Sequence, residues 1–434
     1  MFQYKYSALM LAIVTSISAP VSASSDTTVS PYVVGGIPVA IDPAHNFMAS
    51  LRNNKAGEAP FCGATIINDQ WVLTAAHCVV QGSGDSASVI APSDITVSAG
   101  LIDNRYPQKE HLFSATHIVV HPDFSPVTVI KETTVNDQVI TEVVSTALDN
   151  DVALIRVNRK FVGLGKVALS TLSQTQLIEQ RLKIEWEVAN DPIPTDHRPE
   201  NIEVLGWGSM DPSGSSDSAP DTLQQAMLSL FPIDLCYERV ESEANSGLII
   251  DSPANITKLC ALPPVVIEDL GDDAVVGADS CKGDSGGPIL AVDSEGNQLQ
   301  VGIVSGGTAG NPVCGSMTRP GFYARVGNYT NWIVDNSSKV PAYPITPPDF
   351  LNDKYGDDTD GDDTGGGDTG DGDTGDGGTG GGDTGGGDTG DDGCNDSISA
   401  NNCNIGKDRD SGGSLGFIGL LLLCSAAFYR RLRD

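Results

Sequence analysis

Bases are scarce in this 434-residue chain: 25 Lys and Arg stand against 57 Asp and Glu, for a formal net charge of −32. That shortage excludes nucleic acid as a partner, because phosphate contact needs a basic face. Seventeen of the acids and five of the bases lie between Gly356 and Asp434, so that stretch carries −12 and the rest −20. An acidic surface resists aggregation, and it also attracts cationic substrates. Long apolar runs are missing too. The C-terminal run from Leu415 to Tyr429 holds fifteen residues, short of the roughly 20 that a permanent spanning helix needs. From Gly356 to Gly393 there is no apolar side chain and no Lys or Arg, only thirteen Asp mixed with Gly and Thr. Nothing there offsets the entropy of ordering, so it builds no core. A calcium-repeat reading fails as well, since no apolar or aromatic positions lock the spacing of the carboxylates.

What can fold runs from Val33 to Lys339. Short β-branched segments recur between Gly, Pro and Asn, among them Ala64 to Ile67, Trp71 to Leu73, Asp94 to Ala99 and Val152 to Val157. The same texture returns in Val204 to Trp207, Pro288 to Val292 and Val301 to Ser305. Many short strands separated by turn signals point to an all-β sandwich or barrel in two packed halves. Tyr329 to Val334 suits a short closing helix. Ser125 to Leu148 and Ile178 to Pro199 read as long surface insertions.

The N-terminus indicates export. Lys5, an apolar run from Ala8 to Val14 and the small residues Val21-Ser22-Ala23 have the order of a secretory signal peptide spanning 1–23. An exported protein meets an oxidising environment in which paired cysteines persist. Cys424 falls in the C-terminal apolar run, which leaves Cys62, Cys78, Cys236, Cys260, Cys281, Cys314, Cys394 and Cys403 for up to four bridges of unspecified connectivity. Cys394 and Cys403 are close enough in sequence to shut a small loop. Residues 340–410 read as a Pro-rich stiff exit followed by the Asp/Gly/Thr linker. Residues 411–434 place Gly412-Gly413 before the apolar run and Arg430, Arg431 and Arg433 after it, with the arginines suited to a cytoplasmic end. This tail resembles the Gly-Gly C-terminal sorting signals of exported proteins of Gram-negative bacteria. With the export signal, that resemblance implies a protein secreted or attached to the bacterial cell surface or outer membrane, a transient C-terminal membrane segment and a rhomboid-type protease as partner.

Chemistry concentrates in three places. Gly283-Asp284-Ser285-Gly286-Gly287-Pro288 surrounds one serine with glycines, which allow a tight turn and close backbone approach to a reacting oxyanion. A hydroxyl nucleophile needs a base, and His77 in Thr74-Ala75-Ala76-His77-Cys78 follows an apolar strand. The other histidines, His45, His111, His117, His121 and His197, read as surface or turn residues. The base needs an orienting carboxylate, and Asp151 stands directly before the apolar segment Val152 to Ile155. Asp149 reads as a solvated loop acid.

Taken together, His77, Asp151 and Ser285 resemble in order and context the catalytic motifs of the trypsin-like branch of the chymotrypsin family, over Val33 to about Asp335. The resemblance implies two packed six-stranded antiparallel β-barrels with a short C-terminal helix. It implies a Ser-His-Asp endopeptidase in which Ser285 attacks, His77 takes the proton and Asp151 fixes the imidazole. The N–H groups of Gly283 and Ser285 would form the oxyanion hole. Asp279, six residues before Ser285, would sit at the base of the specificity pocket and select Arg or Lys, with Gly307 and Gly321 leaving the pocket open. Ser305 would begin the edge that pairs with substrate backbone, although Gly306 stands where the family usually has Trp.

Val33-Val34-Gly35-Gly36 resembles the mature start of such enzymes. A nine-residue propeptide (24–32) would therefore be removed and the freed Val33 ammonium would pair with Asp284. Tyr32 precedes that cut, so a separate activating protease is expected as a partner, beside protein or peptide substrates containing Arg or Lys. By the same resemblance Cys62 pairs with Cys78, Cys236 with Cys260 and Cys281 with Cys314. No cofactor or metal is expected: Glu110 matches one calcium ligand of the family, but Leu101 stands where a carboxylate is usual. The other reading to be weighed is an inactive, protease-fold binding or adhesion protein.

Overall fold

The computed structural model describes residues 34–40, 45–54, 59–127, 129–135, 138–145, 148–189, 197–241, 257–271, 275–307 and 310–355. The signal peptide, the propeptide, Val33, Cys394, Cys403, the Asp/Gly/Thr linker and the sorting tail lie outside the described residues. The chain enters through β1 (Ile37–Pro38) and builds a first barrel from β2 (Met48–Asn53), β3 (Pro60–Ile66) and β4 (Trp71–Thr74). A small hairpin of β5 (Val80–Gln81) and β6 (Ser88–Val89) follows, then β7 (Ile95–Ala99) and β8 (Leu112–Val120). β9 (Val129–Val135) and β10 (Gln138–Ser145) form a separate two-stranded antiparallel sheet, so the Ser125–Leu148 insertion is a β-hairpin. The barrel ends with β11 (Ala153–Val157), which pairs with both β4 and β8 and so closes the ring β11-β4-β3-β2-β7-β8. Its apolar side chains, including Met48, Leu51, Ile66, Leu73, Ile118 and Leu154, are fully buried; truncating any one to Ala would cost about 2–5 kcal/mol.

The second barrel comprises β12 (Ile202–Gly206), β13 (Gln224–Phe231), β14 (Lys258–Leu262), β17 (Pro288–Val292), β18 (Gln298–Gly307) and β19 (Gly321–Arg325). Pairing of β13 with β14 closes it, and β1 adds to its edge. Outside the ring stands a hairpin of β15 (Val266–Asp269) and β16 (Val275–Gly277). Among the described residues three helices accompany this half: α1 (Leu172–Val188), α2 (Ile233–Glu241) and α3 (Val326–Ser337). The last contains the expected closing helix. Three disulfides join Cys62–Cys78, Cys236–Cys260 and Cys281–Cys314. Each removes freedom from the unfolded chain worth about 3 kcal/mol in the chain-entropy model.

Two expectations need correction. Of the Ile178 to Pro199 insertion, residues 178–188 are not a surface segment, because they belong to α1 and bury one of its faces, and residues 190–196 lie outside the described residues. Thr171 caps that helix by accepting from the Gln174 N–H, and Ile178, Leu182 and Trp186, spaced by four, bury one face. Trp186 packs 5.1 Å from the Phe231 ring. The ordered body also runs past Lys339. After α3 the chain turns back over the first barrel, where β20 (Ile345–Thr346) pairs in parallel with β8. Leu351 is then buried, and a single-turn helix, α4 (Asn352–Tyr355), ends the described chain. Prolines suit this course because their fixed φ and missing N–H are tolerated at a sheet edge.

Candidate active site

Strand register brings the three sequence-predicted groups together. Ala153 lies opposite Thr74 in the β11–β4 pair. Asp151, two residues before Ala153, and His77, three after Thr74, therefore leave the first barrel at the same end. Asp151 is wholly buried and holds His77 twice: Oδ1 accepts from the His77 N–H at 2.8 Å, and Oδ2 lies 2.7 Å from the ring Nδ1. The Ser305 hydroxyl donates to the same Oδ2 at 2.5 Å from the second barrel. Burial pushes the Asp151 carboxyl up, but the His77 charge and the hydrogen bonds from His77 and Ser305 outweigh it and hold the carboxyl below the usual Asp value.

In the second barrel, Pro288 opposite Ile303 puts Ser285 and Ser305 at one end of β17 and β18. The serine turn is locked by hydrogen bonds from the Gly63 N–H to the Ser285 carbonyl (2.7 Å) and from the Gly286 N–H to the Val304 carbonyl (2.8 Å). Gly286 adopts φ +80°, and a Cβ there would lie 2.2 Å from Thr74 Oγ1, so no side chain fits. The Cys62–Cys78 bridge lies against both residues, with Cys78 Sγ 3.6 Å from the Ser285 carbonyl oxygen and 4.0 Å from His77 Nε2. Among the described residues no hydrogen bond joins the Ser285 hydroxyl to the imidazole; bonds of this kind commonly tighten only when substrate is bound. The N–H groups of Gly283 and Ser285 donate to no protein acceptor among the described residues, which leaves both available to an incoming oxyanion.

Beside Ser285 opens a slot of about 460 Å³, mouth included, walled by the Cys281–Cys314 bridge, Gly306, Gly307 and Gly321. Asp279 lies in it and is nearly closed to solvent. Its Oδ1 accepts from the Ser280 N–H at 2.8 Å and its Oδ2 from the Gly315 N–H at 3.0 Å. Burial pushes this carboxyl up to about 6, against the pull of hydrogen bonds from Gly315, Ser280 and Tyr323. Ser316 and Arg319 also line the slot and carried no signal in the sequence. Arg319 donates to the Pro312 carbonyl.

Asp284 is wholly buried and accepts from Gly208 N–H at 2.7 Å and Cys281 N–H at 2.8 Å. A Cβ on Gly208 would lie 2.4 Å from the carboxylate, so that position must stay bare. Burial drives Asp284 up to about 7; the two amide bonds pull it down and the neighbouring Asp279 charge pushes it further up. Val34 is buried nearby, its carbonyl accepting from the Asp279 N–H at 3.0 Å.

Asp149 is not the solvated acid expected of it. It is buried and ion-paired with Lys258 at the start of β14. Among the described residues, the one close group of three metal-capable side chains is Cys62, His77 and Cys78, and both cysteines are committed to their disulfide.

Known proteins are similar to this chain over most of its length. The Trypsin family model matches residues 33–333. Trypsin Tyr p 3.0101 of Tyrophagus putrescentiae is 29% identical over 70% of this chain and 79% of that protein. Human Serine protease 41 is 30% identical over 66% of this chain and 71% of that protein. Tryptase of Mus musculus is 27% identical over 66% of this chain and 82% of that protein.

Proposed function

The chain belongs to the trypsin family of serine proteases, and from that membership we propose that it is an endopeptidase cutting after Arg or Lys. The observation that carries this reading is one arrangement: a slot with buried Asp279 inside and Ser285 on its wall, beside His77, whose backbone N–H and ring Nδ1 are both held by Asp151. A guanidinium or ammonium entering the slot meets a carboxylate and can form a charge-assisted hydrogen bond. An apolar side chain would leave Asp279 desolvated and unpaired. With the scissile carbonyl over Ser285, His77 accepts the hydroxyl proton as Oγ attacks, and the Gly283 and Ser285 N–H groups receive the oxyanion. The leaving amine takes the proton from His77. Water then repeats the sequence on the acyl-enzyme. Asp151 keeps the Nδ1 proton in place and stabilises the imidazolium.

Activation follows from the same loop. Cleavage after Tyr32 would free the Val33 ammonium one residue before buried Val34, and the buried Asp284 carboxylate is its proposed partner. That pairing would fix the turn carrying Gly283 and Ser285. Tyr32 itself does not suit a pocket for basic residues, so another protease makes the cut. The signal sequence and tail support export and attachment at the bacterial surface, with a rhomboid-type protease processing the tail. The test uses protein whose N-terminus is verified as Val33, assayed on Arg, Lys, Phe and Ala amide substrates. Turnover confined to Arg and Lys and abolished in Ser285→Ala is expected; no turnover, or turnover that survives that substitution, ends the reading.

A further inference from the structure

The segment leading into Asp151 is bent against its own preferences. Among the described residues, Leu148 (φ 58°) and Asn150 (φ 54°) are the two non-glycine residues in the left-handed region, and they flank Asp149. Such strain persists only where the surroundings over-determine the backbone, and it gathers at functional sites. Here the restraints come from several directions. Asp149 Oδ1 accepts from Thr257 Oγ1 at 2.8 Å and from the Lys258 ammonium, both from the second barrel. The Asp149 carbonyl takes the Ser125 N–H at 3.0 Å. Asn150 donates its amide to the Asp123 carbonyl at 2.9 Å and accepts from the Tyr329 hydroxyl of α3 at 3.1 Å. Of these holds, the ion pair alone carries opposite full charges, and both its partners are withdrawn from water.

We propose that Lys258 is a positioning residue for the triad: through Asp149 it clamps the strained Leu148–Asn150 turn, aims Asp151 at His77, and cancels a second carboxylate charge beside that pair. The proposal rests on the peptidase reading for its kinetic test. Among the described residues, the charged and titratable groups around Asp149 include Lys258 of β14, Asp151 in its own segment, and Tyr329 of α3, whose hydroxyl also lies in the fields of Asp123 and Arg325. Asp151 in turn faces His77. Removing the ammonium withdraws a positive charge from the neighbourhood of the imidazole and favours its protonated form. Removing the carboxylate withdraws a negative charge and disfavours it.

The experiment compares wild type, Lys258→Met, Asp149→Asn, the double substitution and Lys258→Arg on a small Arg amide across pH. Lys258→Met should lower kcat about tenfold with little change in KM, and move the acid limb of kcat/KM up by roughly half a unit. Asp149→Asn should move the limb the other way. The double substitution should return it to the wild-type position, and Lys258→Arg should stay near wild type. If Lys258→Met does not fold, the opposite-sign shift in Asp149→Asn and the retention in Lys258→Arg carry the test. Limbs that stay put in both single variants, with only the melting temperature lowered, overturn the proposal in favour of a purely structural pair. NMR titration of the His77 ring protons reads the same two shifts without turnover. An inactive wild type would therefore sink the peptidase reading and leave this proposal decidable.

Discussion

Asp151 of the first barrel and Asp279 and Asp284 of the second are all withdrawn from water, yet burial leaves them in opposite condition. Asp151 has an imidazole and a hydroxyl as partners and stays below the ordinary carboxylate value. Asp279 and Asp284 depend mainly on backbone amides and are pushed up to about 6 and about 7. The difference lies in what each pocket supplies. Neutral amide dipoles offset only part of the cost of desolvating a charge, whereas a cationic partner offsets it directly. The first barrel therefore holds a completed pair, and the second holds two carboxylates that a cation would stabilise. In the proposed mechanism those cations are the substrate's basic side chain and the freed Val33 ammonium.

The most drastic way to break this contrast is to remove the completed pair. Asp151→Asn should lower kcat on the order of 10⁴-fold in steady-state assays, the magnitude established for triads of this kind, through the wrong imidazole tautomer. Next comes the slot: Asp279→Ser should cut kcat/KM for Arg substrates by about 10³ while raising turnover of apolar ones relative to wild type, measured on matched amide substrates. The third effect appears in stability and reverses with processing. A carboxyl whose folded pKa lies above its unfolded value favours folding at low pH, and that contribution is lost as pH rises from about 4 through the folded value. Unprocessed protein should therefore lose stability between about pH 4 and pH 7, and Asp284→Asn should flatten that loss, raising the melting temperature at pH 8 by several degrees. In protein beginning at Val33 the same substitution should lower both melting temperature and turnover. Asp151 contributes with the opposite sign, adding stability above about pH 4 that disappears on acidification. The smallest change is expected from deleting Gly356 to Asp434, which should alter cellular location and leave kcat/KM within about twofold. Deletion from Val340 onward also strips Leu351 from the core and should cost about 2–3 kcal/mol in denaturant melts.

Much of this was legible in the sequence where the signal is local. The strands are short β-branched runs between turn residues, and the motifs around His77, Asp151 and Ser285 each sit beside a strand whose register does the positioning. What escaped depends on distant partners or on a blurred period. Asp149 looks like a loop acid because Lys258 lies 109 residues away along the chain. Helix α1 buries Ile178, Leu182 and Trp186 but also exposes Leu177, Ile184 and Val188, so the contrast between its faces is weak, and only the capping pair Thr171 and Gln174 marks its start. Residues 340–355 are rich in proline and read as an exit, yet Leu351 is buried and Ile345 pairs with Ile118 of β8, more than 200 residues earlier.

That returning segment sets the path by which a pull on the C-terminus would travel. The Tyr355 hydroxyl receives the Val89 N–H and donates to the Val89 carbonyl, and the Lys354 ammonium grips the Ala87 carbonyl at 2.8 Å. Behind them, Asp349 N–H holds the Pro122 carbonyl and β20 is laid along β8. Tension applied at Tyr355 would load these fastenings before it reached α3, and a fusion partner or affinity tag joined after Tyr355 should leave the serine turn and its slot undisturbed.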